Sequence, residues 1–167
     1  MKLIACLAII ALSAYIGRLM AKRAALRLEF VRQYEQAMIT VTDRIAKLNV
    51  ELYRALDVSA CPALCGFFRD CSRSLRECPQ RRFADVWGAR IEKERFDFLT
   101  AEDMRLIRSG GEALENLCAN PSEKQAQAYI KRLAAHAETV ETEKRKKSRL
   151  YNTGGVLAGM FAALLII

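Results

Sequence analysis

Hydrophobic positions along the chain follow two regimes. At the ends they are nearly continuous. Leu3–Gly17 carries no charge and is almost wholly apolar, Leu19, Met20 and Ala21 extend it past Arg18, and Thr153–Ile167 is again uncharged. Each run is 15 residues, short of the roughly 20 needed to cross about 30 Å of hydrocarbon. Arg18 can snorkel to the headgroups, which lets the first run continue to Ala21, and Leu150 and Tyr151 can lengthen the second. Between the ends, apolar residues recur at steps of three and four, the period of a helix buried along one stripe. No stretch alternates as a half-buried strand would.

The middle region reads as a succession of helices. From Ala24 to Leu56 the seam is Val31, Tyr34, Met38, Val41, Ile45, Leu48, Leu52 and Ala55. No breaker separates it from Gly17, so the first apolar helix is expected to run straight into it. Cys61-Pro62 opens a shorter helix to about Leu75, with Leu64, Phe67 and Phe68 apolar, and Pro79 opens another to about Arg95, with Phe83, Trp87 and Ile91 on one face. Thr100 is placed to cap a fourth, with Asp103 at its third position favourable to the helix dipole. That helix carries Met104, Ile107, Leu114 and Leu117 and is interrupted by Gly110-Gly111. A mid-helix glycine pair costs stability, which points to close backbone contact with a neighbour or to a bend. Asn120-Pro121-Ser122-Glu123 is a helix start with capping residue, Pro and Glu in the favoured order. Its seam of Ala126, Ile130, Leu133, Ala137 and Val140 leads on toward the second apolar end.

These elements predict an all-α chain: a bundle of five or six helices over residues 22–149, flanked by membrane helices at 1–21 and 150–167. The charge supports this division. The chain carries a net charge of +8, from 27 Lys and Arg against 19 Asp and Glu. The excess flanks the apolar ends: Arg18, Lys22, Arg23 and Arg27 follow the first, and Lys144, Arg145, Lys146, Lys147 and Arg149 precede the second. Without these nine and Lys2, 17 basic residues face all 19 acidic ones. A nucleic-acid groove needs its excess inside the folded domain; here it sits where the positive-inside rule and contact with anionic lipid would place it. Both flanks therefore put the middle in the cytoplasm and the termini outside. A cleavable signal peptide is the rival for the first segment, with Ala11-Leu12-Ser13 as a small-residue cleavage site; the four cations downstream disfavour export.

Candidate chemistry is thin. Cys6 lies in the first apolar run, and Cys61, Cys65, Cys71, Cys78 and Cys118 in the middle. Five is an odd number for a disulfide framework, so reduced thiols in a cytoplasmic domain fit better. A metal- or redox-responsive site on Cys61, Cys65, Cys71 and Cys78 is the competing reading, although zinc ligands usually come as two close pairs and only Cys61 and Cys65 form one. His136, the one histidine, has no nucleophile paired with it in sequence and reads as structural or superficial. Neither a phosphate-binding Gly-rich loop nor a metalloprotease or hydrolase motif occurs. No enzymatic activity, cofactor or small-molecule substrate is expected.

One pattern does carry mechanism. Gly155 and Gly159, continued by Ala163, form a stripe of small residues that lets helices approach closely in lipid; Ser13 and Gly17 offer a matching pair in the first apolar run. The stripe serves either to pack the two ends within one molecule or to contact another membrane protein.

Several of these segments resemble the stage III sporulation protein AB family of endospore-forming bacteria. Ile45-Ala-Lys-Leu-Asn-Val-Glu-Leu-Tyr-Arg-Ala-Leu56 is similar to an isoleucine-led stretch ending in Ala-Leu, although Glu51 and Tyr53 stand where the family usually has prolines. Glu102-Asp103 through Gly110-Gly111 resembles a Glu-Asp segment ending in Phe-Gly, with Gly110 in place of Phe; Leu114 fits, and Glu115 replaces a usual glycine. Glu123-Lys124-Gln125 is similar to Glu-Gly-Gln, and Lys147 to Tyr151 followed by Gly155–Gly159 is the nearest likeness. The resemblance implies a helical domain similar to the cytoplasmic domains of type II secretion platform proteins. It also implies a non-enzymatic platform or adaptor in a secretion-like channel between mother cell and forespore, in the cell membrane on the mother-cell side. The implied partners are the ATPase stage III sporulation protein AA and other membrane subunits. Gly110, Gly111, Leu114, Glu123 and Gln125 become candidates for helix packing or a partner surface. The alternative is an unrelated membrane-tethered scaffold that dimerises through its C-terminal helix.

Overall fold

The computed structural model describes residues 2–59, 64–94, 96–120 and 123–166, and the side chains among them other than those of 2–10, 14, 123 and 148–166. All regular structure among the described residues is helical: α1 (Lys2–Leu48), α2 (Leu52–Val58), α3 (Cys65–Glu77), α4 (Phe83–Lys93), α5 (Ala101–Ala119) and α6 (Glu123–Ile166). The two terminal helices are the long ones, with 47 and 44 residues, about 70 and 66 Å at 1.5 Å per residue. Two compact units divide the chain. One holds Met1–Glu29 and Glu138–Ile167, the other Phe30–Ala137.

The first unit joins a segment from each end of the chain, and within it Arg27 of α1 meets Glu143 of α6 at 2.8 Å. Gly17 is buried, whereas Leu12, Tyr15, Ile16, Leu19, Met20 and Leu26 are among the most exposed large apolar residues, Tyr15 at 63%. No helix of the described residues is long and apolar enough to cross a membrane. The membrane helices expected at 1–21 and 150–167 rest mostly on side chains outside the described ones.

The second unit buries the seams read from the sequence. Tyr34, Met38, Val41 and Ile45 of α1 meet Leu64, Phe67 and Phe68 at the start of α3, Phe83, Trp87 and Ile91 of α4, Ile107, Leu114 and Leu117 of α5, and Leu133 of α6 in one core. Trp87 is its centre. Three phenylalanines surround its ring, Phe67 edge-on at 4.7 Å, Phe83 at 5.4 Å and Phe68 at 5.9 Å, within the range of favourable aromatic contact.

Two helix boundaries and one expected interruption differ from the sequence reading. The first helix ends at Leu48 instead of reaching Leu56, because Asn49 takes a left-handed conformation with φ 52° that asparagine tolerates. The Val50 N–H then reaches back to the Arg44 carbonyl, Leu48 is left exposed, and α2 becomes a separate short helix. Residues 60–63, with the expected start at Cys61-Pro62, lie outside the described residues. The next helix starts at Phe83 and not at Pro79: Arg82 is still extended, and the Ala84 N–H is taken by Glu115 of α5 at 2.9 Å. Third, Gly110-Gly111 does not interrupt α5.

Candidate functional site

The densest polar arrangement in the second unit lies along α5. Its N-terminus is closed by a full capping box. The Thr100 hydroxyl accepts from the Asp103 N–H, and Asp103 Oδ2 accepts from the Thr100 N–H at 2.7 Å. Asp103 is 1% exposed, and a buried carboxylate must be compensated on both oxygens. The second oxygen, Oδ1, lies 2.6 Å from His136 Nε2 on α6, so the imidazole donates from that nitrogen; Nδ1 faces Glu102 at 3.9 Å. The sequence placed Asp103 at the cap and left His136 structural or superficial. The pairing across 33 residues had no local signal.

One turn further, α5 receives three other helices. The indole Nε1 of Trp87 donates to the Ile107 carbonyl at 2.8 Å, and the Tyr129 hydroxyl donates to the Leu106 carbonyl at 3.0 Å. The Tyr34 hydroxyl lies 3.0 Å from that of Tyr129 and 3.3 Å from the Ile107 carbonyl. Two phenolic protons are thus shared over three contacts. Burial is the main cause that raises the pKa of both phenols above the ordinary tyrosine range, so both stay protonated donors. The glycine pair makes this approach possible. A Cβ on Gly110 would sit 2.7 Å from the Tyr129 hydroxyl and closer still to that of Tyr34, and a Cβ on Gly111 would sit 2.8 Å from Cβ and Cγ of Trp87. Both glycines are buried, as is Leu114, so these three are packing positions. Gln125 is exposed, and the side chain of Glu123 lies outside the described ones.

Glu115 joins the same helix to α4. Besides the Ala84 N–H it accepts from Arg82 Nε at 3.1 Å, and these bonds, the backbone one first, hold its carboxyl below the usual range. Cys71 is buried and its thiol is pushed up to about 12 by desolvation, so in the protein as it stands it is a protonated core residue. Cys65 is partly buried and Cys78 and Cys118 are exposed; Cys61 lies outside the described residues. No three His, Cys, Asp or Glu side chains come together as metal ligands among the described residues.

In the first unit, Arg18, Lys22, Arg23, Arg145, Lys146 and Lys147 are exposed and Lys144 is partly buried. Arg27 stands apart from this set, being 8% exposed with its guanidinium on Glu143; Lys147 approaches the same carboxylate at 3.4 Å. Ser13 is partly buried beside the buried Gly17. Arg149, Gly155, Gly159 and Ala163 lie outside the described side chains.

The described residues therefore define a helical scaffold whose buried polar groups lock helices to one another. Its sequence completes the identification: a family model matches residues 2–167, and the chain belongs to the stage III sporulation protein AB family. Membership gives it a role in sporulation and sets aside the reading as an unrelated scaffold. No curated protein and no solved structure matches the chain.

Proposed function

We propose that the protein is a non-enzymatic membrane platform of a sporulation channel, docking a cytoplasmic ATPase to membrane subunits. Family membership supports the sporulation context. The observation that carries the platform reading is the unit made by the two chain ends. There, large apolar side chains of α1 stand exposed alongside exposed cations of α1 and α6, surfaces suited to hydrocarbon and to anionic headgroups. The bundle would then hang on the cytoplasmic side, as the helical domains of type II secretion platforms do, with stage III sporulation protein AA as the expected ATPase. Affinity capture of the tagged protein from membranes of sporulating cells is expected to recover that ATPase and other channel subunits. Repeated capture of the intact protein without either would overturn the reading.

A further inference from the structure

We infer that the groove between the end of α3 and α4 is a docking site for an acidic segment of a protein partner. The groove encloses about 200 Å³. Val86 contributes apolar floor, while Arg81, Arg90 and Lys93 set three cations against the single carboxylate of Glu77. Arg90 is held by Asp70 at 2.9 Å, which leaves Arg81 and Lys93, both exposed, to face an incoming group. The charge is local. Residues 69–93 carry seven basic and four acidic side chains, whereas the rest of 30–137 carries ten basic and eleven acidic. Two of those seven, Arg76 and Arg82, are paired with Asp57 and Glu115 outside the segment, so the charge offered to a partner is that of Arg81 and Lys93 at the groove. A groove whose lining sets three cations against one carboxylate favours an incoming group of the opposite sign. A volume of this size takes one or two side chains, which suits Asp or Glu side chains on a helix or loop.

The inference deepens the platform reading and rests on it for why a partner should exist, yet it is testable at the groove alone. Cys78 lines the groove and is exposed, while Cys118 is exposed but does not line it, so the two thiols provide a probe and an internal reference. The full-length chain in neutral detergent is treated with N-ethylmaleimide at low salt, alone or with a 20-residue glutamate peptide, and alkylation of each cysteine is followed by mass spectrometry. We expect the peptide to slow Cys78 at least threefold and leave Cys118 unchanged. Arg81→Glu with Lys93→Glu should abolish the protection, and Arg81→Lys with Lys93→Arg should keep it. Equal slowing at both cysteines, no slowing, or survival of the effect in the charge-reversed variant would overturn the inference. So would equal protection by phosphatidylglycerol doped into the micelles or by a 20-nucleotide single-stranded DNA. Failure here with successful capture of the ATPase would leave the platform standing and remove only this face.

Discussion

The same two helices behave differently in the two units they run through. Up to Glu29, α1 leaves Leu12, Tyr15, Ile16, Leu19, Met20 and Leu26 exposed; from Phe30 onward it buries Phe30, Tyr34, Met38, Val41 and Ile45. The unit of the chain ends carries ten basic residues against four acidic, and that of residues 30–137 seventeen against fifteen. Helical periodicity is common to both, so periodicity alone does not say what a helix is for. What differs is whether the large apolar side chains of α1 are exposed or buried. One unit shows apolar and cationic surface outward, and the other turns its aromatics inward around Trp87.

This contrast sets the order of expected effects. Trp87→Ala should be the most damaging, because it removes the centre of the aromatic cluster and the bond to the Ile107 carbonyl; a loss of about 3–5 kcal/mol is expected, read as a lowered denaturant midpoint of the full-length protein. Gly111→Ala adds a methyl group where the Trp87 side chain already sits, and overpacking of this kind should cost about 1–3 kcal/mol in the same assay. A variant as stable as the parent would mean that α4 and α5 can separate freely.

Within the unit of chain ends the effects should be smaller. The Arg27–Glu143 pair has one buried and one two-fifths exposed partner, and screening limits Arg27→Ala to about 1 kcal/mol or less. Hydrogen bonding from Arg27 is the main cause that holds the Glu143 carboxyl below its ordinary range. A depressed folded-state pKa stabilises above the unfolded value, so the contribution is complete at neutral pH and fades as pH falls through the glutamate range. Thermal melts from pH 7 to pH 3 should show a smaller acid-induced loss in Arg27→Ala than in the parent. Smallest of all, Leu19→Ala should leave the stability of the bundle within about 0.5 kcal/mol, as for surface substitutions, because Leu19 is 45% exposed. A large loss would show that this face is covered within the molecule, and the distinction between the units would weaken.

The seams of Tyr34, Met38 and Val41, of Phe83, Trp87 and Ile91, and of Ile107, Leu114 and Leu117 were legible because burial imposes a helical period on local sequence. Thr100 as the cap and Asp103 in the first turn were legible because capping is local, whereas the reciprocal bond from the Thr100 N–H to Asp103 came from the structure. Tyr129 escaped notice because it is buried through a partner, Tyr34, 95 residues away. The start of α4 at Phe83 depends on Glu115, a residue of the following helix, and the end of α1 depends on one asparagine adopting φ 52°. His136 could be assigned only once α6 was seen to bring its Nε2 within 2.6 Å of Asp103 Oδ1. The α3–α4 groove joins residues whose charges are ordinary one by one and unusual only when counted by segment.

On the proposed function, the unit of the chain ends holds the bundle at a membrane with its surface toward the cytosol. The direct test is labelling of Cys118 with a membrane-impermeant maleimide, because that residue is exposed and lies outside the docking groove; mildly alkaline buffer offsets the desolvation that raises its thiol pKa. Labelling is expected only after the cells are permeabilised, with the protein remaining in the membrane pellet after alkaline extraction. Labelling of Cys118 in intact cells, or release of the chain into the alkaline supernatant, would contradict it.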